Sequence, residues 1–275
     1  MTDIDLRAAI NAVSDVVQNR PQPLREFDQI YMKTGDMILQ SEFVSRWAHG
    51  KRLAFVGDGD AISVCVAYLA SRNILETSPT QITVFDFDER IVNAVKRFAA
   101  AEGVTNLDAV LYNVLDGVPD EIERFDCFYT NPPWGASNKG ESVQLFTQRG
   151  FELLAYEGDG MIVIADDEDL DWPKQVLHAT QRHALEAGFF VSRMSPQLHS
   201  YHLDDAPDLK SCNLVLSSLP QNGRPVKSVP RRGVDLEHFY GRDQIPRVRY
   251  VRDKGGPDGA GVQRGYEFDM LGEDE

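Results

Sequence analysis

The 275-residue chain predicts an α/β fold: a doubly wound, mostly parallel seven-stranded sheet of Rossmann-like type behind a short helical N-terminal extension. Three observations carry this expectation. Short uninterrupted apolar runs recur along the chain, segments of helical period separate them, and several runs end in Gly, Asp or Asn-Pro loops. Apolar strands alternating with helices mean a parallel sheet covered on both faces, with ligands at the carboxyl ends of the strands.

Residues 4–18 place Ile4, Ile10, Val13 and Val17 at helical spacing, which reads as an amphipathic helix. Arg20-Pro21-Gln22-Pro23 breaks it, because proline lacks the amide and disfavours helix in its predecessor. A second helix is expected over 37–47, so that residues 1–50 form the extension. Strand candidates follow at 53–56, 82–85, 109–112, 125–129, 161–165, 189–192 and 213–217. Helices are expected after the first strand as far as residue 69, then over 90–101, 142–154 and 173–187. These elements delimit a domain over 51–220. The irregular stretch 199–210 is long enough for the last strand to return antiparallel at an edge. Residues 221–254 read as a basic extension, and the Gly-rich, acidic residues 255–275 as a flexible tail.

Composition narrows the class. The chain is 42% hydrophobic and 26% charged, an ordinary globular balance. No stretch approaches about 18 consecutive apolar residues, so no membrane span is expected. The N-terminus lacks the basic and apolar regions of a signal peptide. Cys65, Cys127 and Cys212 are odd in number and far apart, which suits neither a disulfide framework nor a zinc cluster and points to a reducing cytoplasm without a metal. His178 and His183 lack metal-ligand spacing and read as surface residues. The net charge is −15, yet residues 224–254 carry nine Lys and Arg against four Asp and Glu, leaving −20 on the remainder. That strip either lies against the acidic body or meets an anionic partner. Nucleic acid is disfavoured by the overall charge, and a homodimer is compatible with the sequence.

The first strand ends in Gly57-Asp58-Gly59-Asp60, where glycines let backbone approach a ligand and turn into the next helix. Asp86 follows the second strand, placed to accept hydrogen bonds from both ribose hydroxyls of a nucleoside. The loop's carboxylates repel pyrophosphate and so favour a cationic nucleoside such as S-adenosylmethionine over NAD or ATP. Asn113, after the third strand, is placed to meet an adenine edge. Asn131-Pro132-Pro133-Trp134 follows the fourth strand. There the Asn131 side-chain oxygen and the Pro132 carbonyl can accept from an amino group, while Trp134 offers a face to a planar base or cationic amine. Asp166 and Asp167, after the fifth strand, either bind a cationic substrate or form a solvated acidic turn.

Several stretches resemble the branched-chain polyamine synthases, the N4-bis(aminopropyl)spermidine synthase family. They are Phe27-Asp28-Gln29, the Gly57–Asp60 loop with Asp86-Phe87-Asp88-Glu89-Arg90, Leu145-Phe146-Thr147-Gln148-Arg149-Gly150, and His199…Tyr201 with Ser211-Cys212-Asn213-Leu214. The resemblance covers roughly residues 24–220. It implies a class I methyltransferase-like fold, transfer of aminopropyl groups from decarboxylated S-adenosylmethionine to a polyamine nitrogen, and a substrate role for Asp28. Gly59 stands where the family typically has Asp, and Asn131-Pro132-Pro133-Trp134 where it has Asp-Pro-Pro. The latter motif resembles that of methyltransferases acting on amino nitrogens. Methyl transfer from S-adenosylmethionine to an amine is therefore the leading expectation, aminopropyl transfer to a polyamine the alternative, and a catalytically silent binding module a third.

Overall fold

Leu53, Ala54, Phe55 and Val56 are wholly buried in β1 (Arg52–Val56), as a strand covered on both faces requires. The computed structural model of the chain describes residues 4–134, 136–203, 206, 208–220, 227–232, 239, 247–255 and 265–272. After β1 come β2 (Gln81–Asp86), β3 (Leu107–Leu111), β4 (Cys127–Thr130), β5 (Asp159–Ala165), β6 (Phe189–Ser200) and β7 (Lys210–Ser218). They form one seven-stranded sheet in the order β3-β2-β1-β4-β5-β7-β6. Strands β1 to β5 are mutually parallel, and β7 is antiparallel to both its neighbours. This is the class I methyltransferase-like arrangement. The jump from β3 across to β4 leaves a crevice above the carboxyl ends of β1 and β4.

Helices α1 (Leu6–Asn19), α2 (Thr34–Trp47), α3 (Ile62–Ser71) and α4 (Glu89–Glu102) pack on one another, while α5 (Glu141–Leu153) packs with α6 (Asp171–Glu186). Capping matches local chemistry: Asp5 accepts from the Ala8 amide at the start of α1, and Asp88 accepts from Arg90 at the start of α4. The ring of Phe128 on β4 is slotted between two glycines. A Cβ on Gly150 of α5 or on Gly160 of β5 would lie 2.4 Å from that ring.

The structure departs from the sequence reading in three places. β7 is not an edge strand; it inserts between β5 and β6, and β6 takes the edge. The burial pattern explains this, since residues Ser211 to Leu216 are all buried whereas Phe190 and Met194 of β6 are exposed. His183 is not a surface residue: its ring stacks on Phe151 at 6.0 Å, and burial pushes its pKa down. The expected flexible tail contains a strand. β9 (Tyr266–Met270) pairs antiparallel with β8 (Val248–Asp253). Phe27 meets both Phe87 and Phe268 edge-on, at 5.5 and 5.6 Å, and Val248 and Val251 join that cluster. Burying this apolar side holds the hairpin against the sheet's ligand edge.

The basic strip is partly internal. Arg249 pairs with Asp116 at 2.9 Å, Arg252 with Asp269 at 3.0 Å, and Lys254 with Glu267 at 3.2 Å. The Arg231 amide donates to the Leu115 carbonyl, and Arg224 lies outside the described residues. No helix among the described residues is long and apolar enough to cross a membrane.

Candidate functional site

A cavity of about 230 Å³ opens above the carboxyl ends of β1, β2 and β4. Turn-forming and polar residues collect there, since Gly57 follows β1, Asp86 ends β2 and Asn131-Pro132 follows β4. Gly57 adopts φ +74, in the left-handed region, and donates its amide to the Phe85 carbonyl at 2.8 Å. A Cβ there would also lie 3.0 Å from the Phe146 ring. Of the sequence-predicted residues, Asp28, Gly57, Asp58, Gly59, Asp86, Asn113, Asn131, Pro132 and Trp134 all line this cavity. Asp166 and Asp167 do not. Asp166 accepts from the Gln197 amide at 2.8 Å, and Asp167 accepts from Asp169 and Leu170 at the entry to α6. Asp166 thus ties the end of β5 to β6, Asp167 forms the acidic turn, and neither lines the cavity.

Three buried carboxyl groups floor the cavity, and each is held differently. Asp58 turns into α3, accepting from the Ile62 and Ser63 amides at 2.9 and 3.2 Å and from the Ser63 hydroxyl. It thereby occupies orphan donors of that helix. Asp86 accepts from the Asp58 and Asp88 amides at 3.0 and 2.9 Å. Asp60 accepts from the Met32 amide at 2.7 Å and from Asn131 Nδ2 at 2.6 Å. Burial raises the pKa of all three. Asp86 reaches about 7, with the neighbouring Asp88 charge adding to the effect. Their ionised forms become less costly when a cation enters.

Asn131 sits between acid and aromatic groups. Its Nδ2 donates to Asp60, its Oδ1 accepts from the Trp134 indole at 3.2 Å, and it hydrogen-bonds the Tyr201 phenol. Trp134 is not an open platform: one face stacks on Trp172 at 6.3 Å, and Tyr201 meets it edge-on at 5.5 Å. Asn113 is already engaged, donating to the Arg249 carbonyl at 2.5 Å and accepting from the Leu115 amide at 2.9 Å. It ties β8 to the loop after β3. Asp28 stands in the left-handed region at φ 53, at the end of a short 3-10 turn.

Sequence reasoning did not single out Tyr31, Trp172, Leu203, Leu209 or Val248 as lining residues. They come from segments outside the strand ends, and topology alone brings them in. His199 belongs to one of the stretches that carry the family resemblance. It is buried on β6, between Gln40 Oε1 at 2.8 Å and Ser211 Oγ at 2.9 Å.

The branched-chain polyamine synthase A C-terminal domain family model matches residues 8–259. The N(4)-bis(aminopropyl)spermidine synthase of Thermus thermophilus is 27% identical over 187 residues, which is 67% of this chain and 50% of that protein. Its namesake from Thermococcus kodakarensis is 26% identical over 147 residues, 52% of this chain and 39% of that one. The chain spans between 35% and 50% of the length of the curated relatives it matches. Among solved structures, the branched-chain polyamine synthase of Thermus thermophilus, in complex with N4-aminopropylspermidine and 5'-methylthioadenosine, aligns with a TM-score of 0.68. That alignment has 21% identity and covers 82% of this chain and 67% of that one. At this identity the likeness shows the fold.

Proposed function

Because the chain belongs to the branched-chain polyamine synthase A C-terminal domain family, we propose that it transfers an aminopropyl group from decarboxylated S-adenosylmethionine to an amine nitrogen of a polyamine. One observation carries the reading within the structure. A single cavity joins Asp86 and the Gly57–Asp60 loop to Asn131, Pro132 and Trp134, so a nucleoside at one end can meet an amine at the other. The lining suits such a nucleoside. Arg25 is the only cation among the described lining residues, against Glu26, Asp28, Asp58, Asp60 and Asp86. Pyrophosphate meets repulsion there, while a sulfonium or ammonium meets attraction.

In this reading residues 51–220 hold the transfer chemistry. Asp86 receives the ribose hydroxyls, and Tyr112, Asn113 and Val114 flank the base. Asp60, Asn131 and the Trp134–Tyr201 pair receive the acceptor amine. The cofactor, when bound, supplies a carbon activated by its sulfonium. The chain's own contribution is alignment of that carbon with the attacking nitrogen. Asp60 and Asn131 fix the nitrogen, and the aromatic walls pack along the methylene chain and exclude water.

Methyl transfer to an amine is the second reading, favoured by the neutral Asn131-Pro132-Pro133-Trp134 motif. Family membership supports aminopropyl transfer better. The Trp134 indole also takes one lone pair of the oxygen that would orient an amino group. The deciding experiment incubates the protein and spermidine with each cofactor. We expect 5'-methylthioadenosine from the decarboxylated form and little S-adenosylhomocysteine from the other. The opposite product pattern would establish methyl transfer, and binding of neither cofactor would indicate a silent module.

A further inference from the structure

Tyr201 lines the cavity with its ring edge on Trp134, and its hydroxyl begins a buried chain of hydrogen bonds. Tyr201 Oη lies 2.7 Å from Ser211 Oγ, Ser211 Oγ lies 2.9 Å from His199 Nδ1, and His199 Nε2 lies 2.8 Å from Gln40 Oε1. Hydroxyls and imidazoles can each donate or accept, so the sense of this chain depends on its far end. Gln40 fixes that end. Its Nε2 sits 3.6 Å from the Met161 sulfur, which only accepts, and 2.9 Å from Asn213 Oδ1. Its Oε1 accepts from Asn213 Nδ2 at 2.8 Å. The paired amides must turn together, and the Met161 sulfur beside Nε2 sets their sense, so that the Gln40 oxygen faces His199.

The sense then propagates inward. Because Gln40 presents an oxygen, His199 Nε2 carries the proton, and Nδ1 of the neutral ring must accept from Ser211. The Ser211 proton is thereby used, so its oxygen accepts from Tyr201. The Tyr201 proton points away from the cavity, and of the two lone pairs on its oxygen Asn131 takes one and the other is left to the cavity. Burial keeps His199 neutral by pushing its pKa down to about 4, so the order holds at neutral pH. The backbone is fixed as well, since Tyr201 pairs in an isolated bridge with Met32, whose amide binds Asp60.

We propose that Tyr201 is a substrate-contacting residue that offers the acceptor amine a lone pair, and that Ser211, His199 and Gln40 are positioning residues holding it in that sense. This assignment rests on the amine-transfer reading and extends it. An amine N–H would donate to Tyr201 Oη, which turns the nitrogen's lone pair toward the other end of the cavity. A tyrosine free to rotate would instead spend that lone pair by donating to it.

The test has two independent readouts. Nitrogen NMR of the wild-type protein at neutral pH should show His199 as the Nε2–H tautomer. Calorimetry of spermidine binding to the complex with 5'-methylthioadenosine should show affinity reduced about five- to tenfold in Tyr201→Phe and Ser211→Ala, with 5'-methylthioadenosine affinity unchanged. His199→Asn, which keeps an oxygen facing Ser211, should recover most of the affinity lost in His199→Leu. An Nδ1–H tautomer, or spermidine affinity unchanged in Tyr201→Phe, would overturn the assignment, and the tautomer needs no variant to fold. If the protein binds spermidine in this Tyr201-dependent way yet forms no 5'-methylthioadenosine from the decarboxylated cofactor, the transfer reading falls and the Tyr201 assignment stands.

Discussion

Asp86 and Asp58 are both buried aspartates at the floor of one cavity, and their hydrogen bonds divide the work between them. Asp86 has a folded pKa near 7, above its ordinary value of 3.8. The folded state therefore holds this proton more tightly than the unfolded chain. Its contribution to stability is fully present below about pH 4 and is lost as pH rises through about 7. Under the proposed function nucleoside binding would run the other way, because ribose hydroxyls need the carboxylate as acceptor. Affinity for 5'-methylthioadenosine is expected to rise about tenfold between pH 6 and pH 8, one unit either side of that pKa, and Asp86→Asn should flatten the profile; calorimetry across that range checks both. Asp58→Ala should instead lower stability by about 1–2 kcal/mol through loss of donors' partners at α3, visible as a shift in urea midpoint. The cavity position of Asp86 was legible because it stands at the carboxyl end of a buried strand, beside the Gly57–Asp60 loop. The helix-binding role of Asp58 was not, since Gly-Asp-Gly-Asp gives no sign of which carboxyl turns inward. The two alternatives for Asp166 and Asp167 stayed open for the same reason: acidic residues after a strand look alike whether they face a cavity, a turn or a neighbouring strand.

Among the elements, β4 meets both α5 and β5 at close quarters. Phe128 lies in a slot whose walls are Gly150 and Gly160, so the side-chain volume missing from two glycines is filled by one ring. Gly150→Ala should cost about 1–3 kcal/mol by overpacking, and a paired Phe128→Leu should recover part of it; thermal denaturation of the three variants measures the coupling. The strand runs of β1, β2 and β5 were plain in the sequence because both faces are covered and only Thr83 of β2 interrupts their apolar centres. β8 and β9 escaped notice because each is short, half-exposed and rich in charge. Leu24, Phe27 and Phe87, distant in sequence, give their apolar side something to cover. The edge position expected for β7 failed on a readable detail, the continuous burial of its residues against the exposed Phe190 and Met194 of β6.

At the scale of the molecule, the net charge of −15 and the basic strip act together. Arg249, Arg252 and Lys254 already answer carboxylates of the same chain, so few of these cations can neutralise phosphates. We expect no sub-micromolar binding to duplex or single-stranded nucleic acid at physiological salt. Fluorescence anisotropy would show otherwise through a steep decline of affinity with salt, about 0.7–0.9 log units per phosphate contact for each decade. Phe27 and Phe268 touch although nearly the whole chain lies between them, and a ribosome delivers them far apart in time. At roughly 5–20 residues per second, tens of seconds separate their synthesis. Within that interval the nascent chain can complete its sheet at Ser218 before Val248, part of the cavity wall, has been made. Stabilisation by a bound nucleoside, which acts only on a state able to bind it, therefore reaches the protein after the sheet has formed. Folding of the emerging chain must succeed on packing alone.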